Sequence, residues 1–105
     1  MFIVIGTDTY MKEIGKWPKQ DKEAALKIPN QLKENALVGK PLSYPFLREK
    51  KIKERRVYFL VYDDLKLVLL VATSGKKDQQ ATIDHIKKNL YEFRKAAENI
   101  VKQAS

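Results

Sequence analysis

Cysteine is absent from this chain of 105 residues, and only one histidine, His85, is present. The first absence excludes disulfides and thiolate metal sites, and it fits a reducing compartment such as the cytoplasm. The second excludes any mechanism that needs two histidines as acid and base; His85 reads as a partly exposed helix residue. Long apolar runs are also missing. The longest, Leu67 to Ala72, falls far short of the roughly 20 residues of a membrane span. The opening MFIVIGTDTY has neither the basic start nor the long apolar region of a signal peptide, so a cytoplasmic protein with no membrane contact is expected. Acidic residues are few: 13 against 21 lysines and arginines, for a net charge of +8 and a pI near 9.7. That imbalance favours a polyanionic partner, nucleic acid first and an acidic protein second.

What is present is enough for one folded domain. A hydrophobic content of 44% argues against disorder, and the length suits one core rather than two. The expected organisation is a single domain over 1–105, with 91–105 as a helical extension. The chain is organised around Leu47 to Lys77. Within it, Arg48 to Arg56 holds six cations (Arg48, Lys50, Lys51, Lys53, Arg55, Arg56) against Glu49 and Glu54. Two apolar segments follow, VYFLVY and LKLVLLVA, rich in β-branched and aromatic residues and short enough to be strands. A sheet with a cationic lip is the central expectation.

In chain order, Phe2 to Ile5 reads as a short strand. Thr7 or Asp8 then caps a helix through about Trp17. Pro18 separates it from a second helix, about Lys19 to Asn35, which Pro29 either kinks or divides. Ala36 to Pro45 reads as a connection with Gly39, Pro41 and Pro45 as breakers. Three strands joined by short turns follow: about Phe46 to Lys51, Arg56 to Tyr62 and Leu65 to Thr73. Their short joints argue for an antiparallel meander. Asp63-Asp64 reads as a turn rather than a metal site. From about Asp78 to Lys102, Ile83, Ile86, Leu90, Phe93, Ala97 and Ile100 recur at spacings of 3, 4, 3, 4, 3. A straight helix of that length is about 37 Å long, so its second half is expected either to project for self-association or to fold back onto its own body. The fold class is therefore α+β: N-terminal strand, two-helix hairpin, three-stranded meander, long C-terminal helix.

That order, together with GKPL (Gly39 to Leu42), LREKKI (Leu47 to Ile52), RRVYFLVY (Arg55 to Tyr62) and LLVATSGKKD (Leu69 to Asp78), resembles the RelE/ParE superfamily of toxin–antitoxin toxins. The likeness runs from the first strand to about Leu90. It implies a toxin whose relatives include ribosome-dependent mRNA endonucleases and, in the ParE branch, non-catalytic gyrase inhibitors. It also implies a small acidic antitoxin as partner, with message and ribosomal RNA as further partners and no cofactor or metal. The resemblance assigns Lys51 to the basic position of the chain's second strand, which opens the meander, Arg56 to the arginine opening the third, and Lys77 to the basic residue just after the glycine that follows the fourth. Arg48, Lys50, Lys53, Arg55 and Lys76 flank these as RNA-binding cations. Where RelE-type toxins carry a tyrosine, this chain has Ile83, and Tyr91 lies two helical turns too late.

The chemistry suits those residue types. Cleavage by 2′-oxygen attack needs a base, stabilisation of charge on phosphorus, and a proton for the leaving oxygen. Arginine offers two parallel hydrogen bonds to a phosphoryl group. Lysine among other cations loses part of its preference for the charged form and becomes a usable base. Lys51 takes that role, with a carboxylate such as Glu49 as the other available base, while Arg56 and Lys77 hold the phosphate. Three functions compete: the mRNA endonuclease, the gyrase inhibitor, and a degenerate RNA-binding relative. Charged edge strands also serve simply to discourage aggregation.

Overall fold

The structure, a computed structural model, describes residues 1–104. One five-stranded sheet carries helices on both faces. Its strands are β1 (Ile3–Gly6), β2 (Lys40–Leu42), β3 (Tyr44–Ile52), β4 (Arg55–Tyr62) and β5 (Leu67–Ser74), in the spatial order β1-β5-β4-β3-β2. The meander is antiparallel, and β1 pairs in parallel with β5. The α+β expectation holds. The sheet is longer by one strand than expected, because β2 lies inside the presumed connection. Pro41 gives it no N–H to donate, which is tolerated on an edge strand.

Alternation along β4 explains the two cores. Val57, Phe59 and Val61 pack with Val68 and Leu70 against Tyr10, Ile14, Ala25, Ile28 and Leu32. Tyr58, Leu60 and Tyr62 pack on the opposite face with Leu47, Leu67, Leu69, Ile86 and Ala97. A strand buried on both faces must be apolar at every position, and β4 is so from Val57 to Tyr62 and β5 from Leu67 to Ala72. A register shift against Tyr58/Phe59 brings Val71 and Ala72 both into the second core. It thereby turns Thr73 toward the first helices, where its N–H and hydroxyl donate to Glu13 at 2.9 and 3.0 Å.

The first face is covered by α1 (Asp8–Gly15), α2 (Lys19–Leu26) and α3 (Ile28–Glu34). Thr7 caps α1 by accepting from the Tyr10 N–H at 3.2 Å. Of the two outcomes expected for Lys19 to Asn35, a kink or a division, the structure shows the division. Pro29 has no N–H for the preceding turn, so the chain breaks at Lys27, whose N–H bonds back to Ala24.

The second face is covered by α4 (Gln79–Lys88) and α5 (Leu90–Ala104). Here the expectation of one long helix is corrected. At Asn89 the backbone leaves the helical region (φ −114°, ψ 17°), and its side-chain amide donates to the His85 carbonyl at 2.8 Å. The break lets the seam follow the sheet. Ala97 is fully buried, and Phe93, Ile100 and Val101 pack on the second core. The stripe available for self-association in a projecting helix is thus placed on the chain's own sheet. No helix among the described residues is long and apolar enough to cross a membrane.

Two phenols are buried with no hydrogen-bond partner at their oxygens, Tyr10 and Tyr62. Burial pushes each up to about 12 from the ordinary 10, with Arg94 partly opposing the shift at Tyr62. A folded-state pKa raised above the unfolded one favours the fold below pH 10, and that contribution is lost as pH rises from 10 toward 12. Tyr10→Phe keeps the ring and removes the unpartnered hydroxyl. It is expected to raise stability at pH 7 by about 1 kcal/mol and to flatten the alkaline unfolding curve over that window. Urea melts at stepped pH check both effects.

Candidate active site

The basic residues gather at one end of the sheet, where the β3–β4 turn, the end of β5 and the start of α4 meet. Strand period decides which side each takes. Lys51 stands directly opposite Arg56, Glu49 opposite Tyr58, and Arg56 opposite Ser74. By register these residues share the face covered by α4, while the Lys51 side chain, on a strand near the sheet edge, also lines the cleft beside α2 and α3. Lys50 opposes Val57 and Arg48 opposes Phe59, placing both on the α1–α3 face.

Arg56 is the cation of this cluster most withdrawn from solvent. Its side chain retains only 13% exposure and Glu49's 14%, with Arg56 Nε 3.8 Å from Glu49 Oε2. The side-chain amide of Gln79, the first residue of α4, lies 2.8–2.9 Å from the same guanidinium, and because a guanidinium only donates, its oxygen is the end assigned to that contact. Glu49 Oε2 itself is buried without a hydrogen bond, so Arg56 is its neighbouring charge. Behind them the Tyr58 hydroxyl and Ser74 Oγ lie 2.8 Å apart. Burial pushes the Tyr58 phenol up, the Ser74 hydrogen bond offsets this in part, and Glu49 adds to the rise. Tyr58 therefore stays a neutral hydroxyl at physiological pH. Lys51 is exposed and borders a cleft that Lys50 shares with α2. An immobilised arginine beside a freely accessible lysine can grip a phosphoryl oxygen and act on a neighbouring hydroxyl.

A second cluster adjoins the first. Lys76 and Lys77, both exposed, line a cavity of about 620 Å³ with Lys53, Arg55 and Asp21. Asp21 accepts from Arg55 Nε at 3.0 Å and pairs with Lys53 at 3.4 Å. The Arg55 hydrogen bond holds the Asp21 carboxyl below its ordinary range against a small opposing effect of desolvation, and Lys53 adds to the lowering. Arg55 also lies over Trp17, 5.0 Å from the ring centre. The loop that carries Lys77 is closed by the Gly75 N–H donating to Asp78 Oδ1 at 2.8 Å.

Lys51, Arg56 and Lys77 thus occupy the same sheet end, the first two across one strand pair and the third in the adjoining cavity. Arg48 is placed differently. Its guanidinium donates to four carbonyls, of Leu37 (2.8 Å), Pro45 (3.1 Å), Gly39 (3.2 Å) and Val38 (3.3 Å). That clasp ties the β2 approach to β3 and occupies the group the sequence offered to RNA. Gln79, Tyr58 and Ser74 were not foreseen. The period-2 rule applied to LREKKI already separates Glu49 and Lys51 from Arg48 and Lys50, but nothing local in the sequence points to Gln79. Ile83, at the tyrosine position of RelE-type toxins, packs on the second core. No group of His, Cys, Asp or Glu among the described residues is arranged to hold a metal ion.

Solved structures share this architecture. The free E. coli toxin RelE, in a mutant form, matches with a TM-score of 0.70 at 15% identity, over 83% of this chain and 96% of that one. The toxin–antitoxin complex RelBE of E. coli matches at 0.65 and 16% identity, over 73% and 99%. A RelBE complex from Mycobacterium tuberculosis matches at 0.62 and 21% identity, over 73% and 93%. This chain has the RelE toxin fold. No family model and no curated protein matches the sequence. The RelE fold here is therefore recognised through its strand order and helix placement, while the side chains at the sheet end are this chain's own.

Proposed function

We propose that this protein is the toxin of a toxin–antitoxin pair and cuts ribosome-bound message by attack of a 2′ oxygen on the adjacent phosphate. The observation that carries the reading is the register of Lys51 against an Arg56 held by Glu49 and Gln79. Lys51 accepts the proton of the 2′-hydroxyl as that oxygen bonds to phosphorus. Arg56 and Lys77 stabilise the charge that develops on the phosphoryl oxygens. The P–O5′ bond breaks and the leaving oxygen takes up a proton, giving a 2′,3′-cyclic phosphate and a 5′-hydroxyl. Lys50, Lys53, Arg55 and Lys76 add the electrostatic attraction that docks the protein on message and ribosomal RNA. A small acidic antitoxin would cover the same cations, as the net charge of +8 invites. Three of the structural matches are to complexes or peptides of an antitoxin bound to its toxin, which supports a partner of that kind here.

One observation favours a second reading, a non-catalytic ParE-like inhibitor of gyrase or an RNA-binding relative. Ile83 faces the core and supplies no group to a substrate. Inducible expression separates the readings. Message ends accumulating at ribosome-occupied codons, with plasmid supercoiling intact, are the expected result. Lost supercoiling with intact message would overturn the nuclease in favour of gyrase, and neither effect would leave RNA binding alone.

A further inference from the structure

At the far end of β3 from the cationic cluster, two aromatic rings lie stacked on the surface. Tyr44 and Phe46 have ring centres 5.0 Å apart and planes within 11° of parallel. They remain 39% and 37% exposed, so the pair is built but not covered. Lys87 of α4 reaches across to it, with Nζ 5.9 Å from the Tyr44 ring centre and 3.5 Å from Ser43 Oγ. Parallel exposed rings beside a lysine are what a single-stranded nucleic acid uses, since every base has a face to stack and every phosphate a charge to place.

The position relative to the proposed cleavage site fits a continuous strand of RNA. From Phe46 to Glu49 is three residues of one extended strand, and from Tyr44 to Lys51 seven, or roughly 10 and 23 Å at about 3.3 Å per residue. That is a reach of a few nucleotides. Lys40, set opposite Glu49 on β2, lies between the two ends. On the other side of Phe46, Tyr62, Asp63, Asp64 and Arg94 line the adjoining cavity, with Asp64 paired to Arg94 at 2.7 Å and Asp63 to Lys66 at 3.0 Å. Lys87 and Lys40 supply the cations along the way from the platform toward Lys51, while the acids on the other side are already paired with cations.

We infer that Tyr44 and Phe46 form a base-stacking platform for single-stranded RNA flanking the scissile phosphate, with Lys87 contacting the backbone beside it. The inference rests on the RNA-cleavage reading and names a subsite for its substrate.

Anisotropy titrations of the full chain test it with two labelled ten-nucleotide RNAs, one unstructured and base-bearing, one abasic. The unaltered chain is expected to bind the base-bearing RNA the more tightly. Tyr44→Ala combined with Phe46→Ala should weaken that RNA roughly tenfold or more and leave the abasic one unchanged. Tyr44→Phe should retain binding. Lys87→Gln should weaken both RNAs and lower the salt slope by about one. Thermal melts confirm that each variant is folded. Equal affinity of the double alanine variant and the unaltered chain for the base-bearing RNA overturns the platform while the cleavage reading stands. The same result with lost binding to an antitoxin would assign the rings to a protein partner and also overturn it. No binding of either RNA by the unaltered chain overturns the RNA reading itself.

Discussion

Lys51→Ala is expected to slow cleavage of ribosome-bound message by roughly 100- to 10,000-fold, the range for loss of a general base. Lys51 is exposed on the outer part of β3, so the fold should be indifferent to the change. Arg56→Ala should cost roughly 100- to 1,000-fold through lost stabilisation of phosphoryl charge, and it also strands Glu49, whose neighbouring charge it is. Glu49→Gln divides the two candidate bases. If the carboxylate only orients Arg56, glutamine still offers an oxygen to the guanidinium and cleavage falls far less than in Lys51→Ala. If Glu49→Gln is the more damaging, the carboxylate is the base and the lysine a stabiliser. Single-turnover cleavage on programmed ribosomes, with melting curves for each variant, gives the comparison.

The second large effect concerns stability. Gly39 has φ of +84°, and a Cβ at that position would lie far inside van der Waals contact with the Glu49 carbonyl oxygen and tight against the carbonyl carbon. Both neighbours are backbone, so neither a rotamer change nor a small side-chain shift relieves the clash. The left-handed conformation costs a non-glycine residue roughly 1–2 kcal/mol, and forced overpacking adds roughly 1–3 kcal/mol. Gly39→Ala is expected to lower unfolding free energy by about 2–4 kcal/mol. Because Gly39 presses on Glu49 and its own carbonyl accepts from Arg48, the substitution should also disturb Arg56 and reduce cleavage. Loss of stability with unaltered cleavage by the folded fraction would mean that the β2 approach does not position the site.

Much of the fold is legible in the chain because its signals are local. β-branched runs separated by two to four polar residues can hardly be anything but a meander, and Thr7 before Tyr10 caps a helix wherever it stands. The parts that escape are decided by distant contacts. Lys40 to Leu42 becomes a strand because β3 offers it an edge, not through any strand propensity in a segment containing Gly39 and Pro41. The long seam reads as one helix because Asn89 is compatible with helix, and the turn there goes with the packing of Leu90, Phe93, Ala97 and Ile100 on the second core, a contact distant in sequence. The same division holds at the candidate site. Composition and strand period bring Lys51 and Arg56 together, while the Gln79 contact needs α4 to dock on β5. Arg48 illustrates the converse. By charge it belongs with the RNA-facing cations, yet three carbonyls of the loop before β2 and that of Pro45 in its own strand claim it.

The account stands on one chemical event at the end of the sheet. The most direct test incubates the purified full chain with ribosomes carrying a defined message and maps both new ends of any product. It predicts a cut within the ribosome-bound codon, one fragment ending in a 2′,3′-cyclic phosphate and the other beginning with a 5′-hydroxyl, and neither produced by Lys51→Ala. Intact message under those conditions, or cleavage that Lys51→Ala and Arg56→Ala leave at full rate, would contradict it.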